Sequence, residues 1–320
     1  MSPRTLLSVV LVIAVLAIAP LAGQNKWTPA RTPDGQPDLQ GVWGFATITP
    51  FERPNDLAGK QFFTEKEALE YEKEFLTRNN RDRRDGPAEA DVSRAYNDFW
   101  WDSGNRVVST RRTSLIIDPP DGKLPALTAA GQKKAADRAE VRRLHPYDGP
   151  ENRPLQERCL AWNTAGPPIM PSAYNNNIRI VQGSGYVAIL NEMIHDVRII
   201  PLDSRPHLPS SIRSWMGDSR GHWDGNTLVV DTINFSDRTN FRGADENMHL
   251  TERFSRTAEG TLIYQFTVDN ETAFTRSWTT EIPMTKSNSP IFEYACNEGN
   301  YSLMNVLAGA RNEEKEAGRK

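Results

Sequence analysis

From about residue 176 onward, apolar and polar residues alternate in short runs separated by turn-forming residues, the period-two pattern of half-buried strands. NIRIVQ-GSG-YVAILN reads as a hairpin about a Gly-rich turn. GHW-DGN-TLVVDTINF reads as a second, because Asp-Gly suits the positive φ angles of a tight hairpin turn. HLTERFSR-TAEG-TLIYQFTVDN predicts a third hairpin and SWTTEIPMTK-SNSP-IFEYAC a fourth. Upstream, TSLIID has strand character and runs into the turn DPPDG. Some eight strands without helical crossovers predict a mainly β protein, expected to close as an antiparallel up-and-down barrel, with a sandwich as the alternative.

The first half of the chain follows another pattern. WTPARTPDGQPDLQGVWGFATITPFERP is proline-rich and predicts an extended arm lying over the body. Thr64 and Glu67 have capping-box spacing ahead of an apolar stripe, which predicts a helix over about 64–79. A second begins at Thr128 and stops before Pro146. The expected organisation is a signal peptide at 1–23, arm and helix at 24–110, a barrel at 111–304 with an inserted helix at about 128–144, and a fraying polar tail at 305–320.

Charge and the N-terminus narrow the setting. The 320 residues carry a net charge of -3 with Lys and Arg dispersed, which argues against nucleic acid as a partner. Arg4 precedes an apolar run from Leu6 to Ala19, followed by the small residues Ala22 and Gly23; this is the layout of a secretory signal peptide. The mature protein is therefore expected to be periplasmic or secreted, without a stable membrane anchor. In an oxidising compartment its only cysteines, Cys159 and Cys296, are expected to pair. A cross-link between positions so far apart is worth at most about 5 kcal/mol by chain entropy.

Candidate chemistry lies where ionisable residues interrupt apolar strands. NEMIHDVRII places Glu192, His195, Asp196 and Arg198 within seven residues. Read as one strand, it points His195 inward with Met193, Val197 and Ile199, and Glu192 and Arg198 to the other face, unless a bulge near Glu192 reverses the phase. In HLTERF, His249 and Arg253 share one face, while Glu252 shares the other with Leu250 and Phe254 and needs a partner from another strand, such as Arg198 or Arg179. Asp231 interrupts TLVVDTINF in the same way.

If these groups converge, a barrel cavity holding a small organic ligand is the natural place. His195, His249, Glu252 and Arg253 are then the catalytic candidates, with Glu252 or Asp231 orienting an imidazole. Glu192, Arg198, Asp231 and Trp223 are the ligand-binding candidates. Aromatic residues Phe99, Trp100, Trp101, Trp215 and Trp278 are further stacking candidates. No metal or cofactor is expected: the five histidines match no helical ligand pair, and no phosphate loop or G-x-S-x-G elbow is present; His195 and His249 with one carboxylate are the alternative, a metal site if their strands are neighbours. Two classes fit, a binding protein or a cofactor-independent lyase, isomerase or hydrolase. A third is a structural or envelope-associated protein with a filled interior.

The segments PDLQGVW, RTSLIIDPPDGKLPALT, NEMIHDVRII, GHWDGNTLVVDT, HLTERF and EYACNEGNY resemble those of a large group of uncharacterised exported bacterial proteins. That resemblance spans most of the mature chain and implies no activity. The hairpin around Asp224–Gly225 also resembles lipocalin-like (calycin) barrels, which implies an up-and-down barrel with an apolar ligand cavity and no required cofactor.

Overall fold

The structure is a computed structural model that describes residues 27–84, 86–89, 98, 101–162 and 164–318. The signal-peptide segment, Phe99 and Trp100 lie outside the described residues, as does the side chain of His195.

Ten strands form one antiparallel sheet: β1 (Gly41–Gly44), β2 (Ile116–Asp118), β3 (Asn177–Gly183), β4 (Tyr186–Asn191), β5 (Val197–Pro201), β6 (Asp218–Asp224), β7 (Thr227–Ile233), β8 (His249–Ala258), β9 (Thr261–Asp269) and β10 (Trp278–Ser287). Their order is β5-β4-β3-β1-β10-β9-β8-β7-β6, with β2 paired to the start of β10. Among the described residues, three α-helices accompany the sheet: α1 (Glu65–Asn79), α2 (Ala129–Leu144) and α3 (Ser302–Ala317). No described helix is long and apolar enough to cross a membrane.

The sheet is not a closed barrel, because no ladder joins β5 to β6. It curls until these edges meet through side chains: a Cβ at Gly221 of β6 would lie 2.7 Å from Leu202 Cδ2 and 2.9 Å from Ile200 Cγ2. The concave side is filled. Trp43, Phe254, Tyr264, Phe266 and Trp278 are fully buried there, and Trp278 packs edge-on against Phe51, Phe266 and Phe274.

Four local expectations change. The arm does not simply lie over the body: its QGVWG segment supplies β1, which pairs with both β3 and β10 and buries Trp43. IFEYAC is no strand, because β10 is already flanked by β9 on one side and by β1 and β2 on the other, leaving no edge for a hairpin partner. The tail is the helix α3 rather than a frayed end, tied down by Arg311, which donates to the carbonyls of Tyr147 (2.9 Å) and Asp148 (3.2 Å). Finally, NEMIHD is a hairpin turn, not a continuous strand: β4 stops at Asn191, a 3₁₀ turn spans Met193–His195, and Ile189 pairs with Arg198. The turn reverses the phase, so Arg198 and Ile200 point inward while Val197 and Ile199 are exposed.

Both anticipated helices form. At α1, Thr64 and Glu67 cap each other reciprocally. At α2, Thr128 accepts from Gly131 N at 3.0 Å. Cys159 and Cys296 form a disulfide with Cα atoms 5.7 Å apart, tying the segment after α2 to the one after β10.

Candidate functional site

The sequence-derived residues separate into two groups on opposite faces of the sheet. Inside, the Leu250–Glu252–Phe254 alternation carries Glu252 into the core at 0% exposure, and the turn at 192–196 brings in Arg198 at 6%. The guanidinium holds the carboxylate by two bonds: Nη1 to Oε2, and Nη2 to Oε1 at 2.9 Å. Tyr264 Oη donates to Glu252 Oε1 at 2.8 Å and accepts from Ile169 N at 3.0 Å. Burial and the adjacent Glu252 charge push the Tyr264 phenol well up, so it stays a donor. Burial opposes the Arg198 charge, but Glu252 more than restores it. The cluster is enclosed by packed apolar side chains and has the character of an internal brace.

On the outer face, Asp231 of β7 lies between two imidazoles. His207, from the β5–β6 connection, places Nε2 2.7 Å from Asp231 Oδ1 and Nδ1 2.9 Å from Asp218 Oδ2. His249, at the start of β8, bonds through Nε2 to Asp231 Oδ2. Leu208 N (2.9 Å) and Arg220 Nη1 (2.5 Å) also donate to Asp218. The result is a linear chain, Asp218–His207–Asp231–His249, ending in an imidazole 46% exposed. Burial would raise Asp231, yet the bonds from His249 and His207 outweigh it and hold the carboxyl below its ordinary value. The bond to Asp231 in turn raises His249 against its own burial. The exposed imidazole is the end of this arrangement that can exchange protons with solvent, with its pKa shifted upward from the ordinary value.

The remaining candidates do not join either group. Arg253 faces outward and pairs with Asp224 at 2.9 Å. Trp223 packs against the core, with Nε1 buried and unpartnered among the described residues. Glu192 is buried and clamps the chain after β10, accepting from Phe292 N at 3.0 Å and from Asn177 Nδ2 at 2.7 Å. Arg179 is exposed. Among the described residues no group of three or more His, Cys, Asp or Glu is placed to hold a metal ion.

A third location is concave. An open cleft of about 630 Å³ lies between α2, the loop at 151–167 and the segments at 215–216 and 237–241. It exists because α2 touches the body chiefly at its first turn. Gly131 is the helix's one buried residue, where a Cβ would sit 2.4 Å from Ala273 O. Farther along, no residue of the helix is buried, and its side chains reach the body through polar contacts, Lys134 to Asp245 and Glu246 and Arg138 to Asp237 O. The disulfide at Cys159 and the bidentate Arg153–Glu157 pair (2.8 and 2.9 Å) hold the opposite wall.

Six Lys/Arg side chains line the cleft against three carboxylates, on a chain of net charge -3. The guanidinium groups of Arg142, Arg158 and Arg238 have no hydrogen-bond or ion-pair partner among the described residues, and that of Arg138 donates only to Asp237 O at 3.2 Å. Trp162 and Trp215 contribute half-buried indoles.

Sequence reasoning missed His207 because RPHLPSS has no strand phase to place it. It also missed the cleft, although one signal was present: Lys134, Arg138 and Arg142 recur every fourth residue on one helical face. Compared with family models, curated proteins and solved structures, the chain matches none.

Proposed function

We propose that this is an exported small-molecule-binding protein whose ligand is an organic anion with an apolar or aromatic body, held in the cleft beside α2. One observation carries the reading: partnerless guanidinium groups and two indoles line a space of ligand size. Guanidinium forks favour carboxylate, sulfonate or phosphate oxygens, and the indoles supply apolar contact. Export is supported by the signal-like N-terminus and by the disulfide, which suits an oxidising compartment. The ligand lumen implied by a lipocalin-like barrel is not part of this proposal, since aromatic side chains fill the concave side. The curled sheet is a scaffold, and its ligand sits outside it.

The test uses 8-anilinonaphthalene-1-sulfonate, an aromatic anion whose fluorescence reports binding. The full chain should bind it saturably. The Arg142→Ala/Arg238→Ala double variant should weaken binding about tenfold, the scale of one lost charge-assisted hydrogen bond. Arg276→Ala, which disrupts an exposed pair with Asp118, serves as the control and should bind normally. Equal affinity in all three proteins would place the dye elsewhere and refute the reading.

A second reading rests on the His249–Asp231 pair. An exposed imidazole with a carboxylate at its back is the arrangement of a general base, and it would serve a cofactor-independent hydrolase, lyase or isomerase. Turnover abolished by His249→Ala, with anilinonaphthalene sulfonate binding intact, would favour it.

A further inference from the structure

We infer that the ligand of the cleft is an acidic oligosaccharide, a short chain of uronate sugars; this rests on the proposed anion-binding role and specifies it. The distribution of charge comes first. Lys134, Arg138 and Arg142 succeed one another along α2, each step advancing about 6 Å along the helix axis. Arg158 and Arg238 stand apart from that helix. A fatty-acid-like anion calls for one cluster of cations at the end of a long apolar tunnel. Cations spread along the walls suit a ligand that repeats its carboxylate at intervals.

The second argument is the chemistry between the charges. A pyranose ring presents an apolar C–H face and a rim of hydroxyls. Trp162 and Trp215 offer flat apolar surfaces for such faces. Asn152 and Gln156 line the same cleft, and their side-chain amides make no hydrogen bond among the described residues. Each amide both donates and accepts, which matches hydroxyl groups and is wasted on an alkyl chain. Indoles, free amides and spaced guanidinium groups together fit a ligand that is cyclic, hydroxylated and repeatedly anionic.

Third, the cleft is built to persist without its ligand. One wall is tied by the Cys159–Cys296 disulfide and by Asn300 Nδ2, which donates to Glu157 O at 3.0 Å. On the other, Lys134 of α2 is held by Asp245 and Glu246, leaving the next two cations of the row for the ligand.

The test is calorimetric titration of the full disulfide-bonded chain with trigalacturonate, maltotriose and triglutamate, accompanied by displacement of anilinonaphthalene sulfonate. Trigalacturonate should bind saturably and displace the dye, while maltotriose should bind at least tenfold more weakly for want of charge. Arg142→Ala/Arg238→Ala and Trp215→Ala should each weaken trigalacturonate at least fivefold. The arginine pair is exposed, so that variant tests the idea even if Trp215→Ala fails to fold. Affinity should fall as salt rises from 0.05 to 0.3 M, by roughly the screening expected over a Debye length.

If the dye binds in a variant-sensitive way but trigalacturonate neither binds nor displaces it, the oligosaccharide assignment is overturned and the broader anion-binding role stands. Triglutamate binding as tightly as the sugar overturns it in favour of an acidic peptide. Loss of variant-sensitive dye binding overturns both readings.

Discussion

Glu252 and Arg253 are neighbours in the chain and opposites in the molecule. Glu252 is fully buried, gripped by Arg198 and Tyr264; Arg253 is 42% exposed and pairs with Asp224, itself 63% exposed. The same contrast separates the internal Arg198–Glu252 brace from the external Asp218–His207–Asp231–His249 chain. Inside, apolar packing leaves each charge dependent on one partner, and the pair is permanent. Outside, the chain ends at His249, whose imidazole is 46% exposed, so water competes for the contact there. Position relative to the sheet, more than residue type, decides whether an ionisable group braces the fold or responds to the medium.

The strongest way to break the comparison is Glu252→Ala. It strands Arg198 without its counter-ion and should cost about 3–5 kcal/mol. Urea unfolding at pH 7 would measure it, and the double change Arg198→Met/Glu252→Leu should recover most of the loss. A single-variant loss below about 1 kcal/mol would mean that the brace is already hydrated.

Next in size is Asp231→Asn. It removes the charge shared by His207 and His249 and should cost about 1 kcal/mol at pH 6, discounted for the exposure of the site. A loss matching that of Glu252→Ala would erase the distinction between the faces.

The pH dependence sharpens the contrast further. The His249 pKa lies above its ordinary 6.5, so the stability it contributes is complete below 6.5 and disappears as pH rises through the folded value. The Asp231 pKa lies below its ordinary 3.8, so its contribution is complete above 3.8 and is lost as pH falls through the folded value. The stability difference between the natural chain and Asp231→Asn should therefore be greatest between these limits and shrink on both sides. A difference that grows above pH 8 would contradict the pairing.

The smallest effect belongs to Arg253→Ala, about 0.5 kcal/mol or less, because an exposed pair gains little over its hydrated parts. A larger penalty in thermal unfolding would reveal a role for Arg253 beyond its contact with Asp224.

Part of this contrast was legible in advance. Strand alternation alone puts Glu252 among Leu250 and Phe254, and the cost of an unpaired buried carboxylate calls for a cation from another strand. Arg198 was foreseeable only as one of two possibilities, because its orientation depends on the turn at 192–196. That turn includes Ile194 at a φ of 64°, a region a β-branched residue rarely enters, and nothing in NEMIHDVRII announces it. The apolar flanks argue instead for a continuous strand, which gives the wrong phase from Val197 onward.

What the sequence determined by itself was local. Alternation set three of the four anticipated hairpins, Thr64 and Thr128 set the starts of two helices, and two lone cysteines set the cross-link. Tertiary structure decided which distant groups meet: the arm strand inserted between β3 and β10, Arg198 reaching Glu252, His207 closing on two aspartates, and α2 bordering a cleft. The reason is physical. Backbone geometry fixes the face a side chain occupies within a few residues, whereas its partner across the sheet depends on strand order and curl, which only the packing of the whole chain determines.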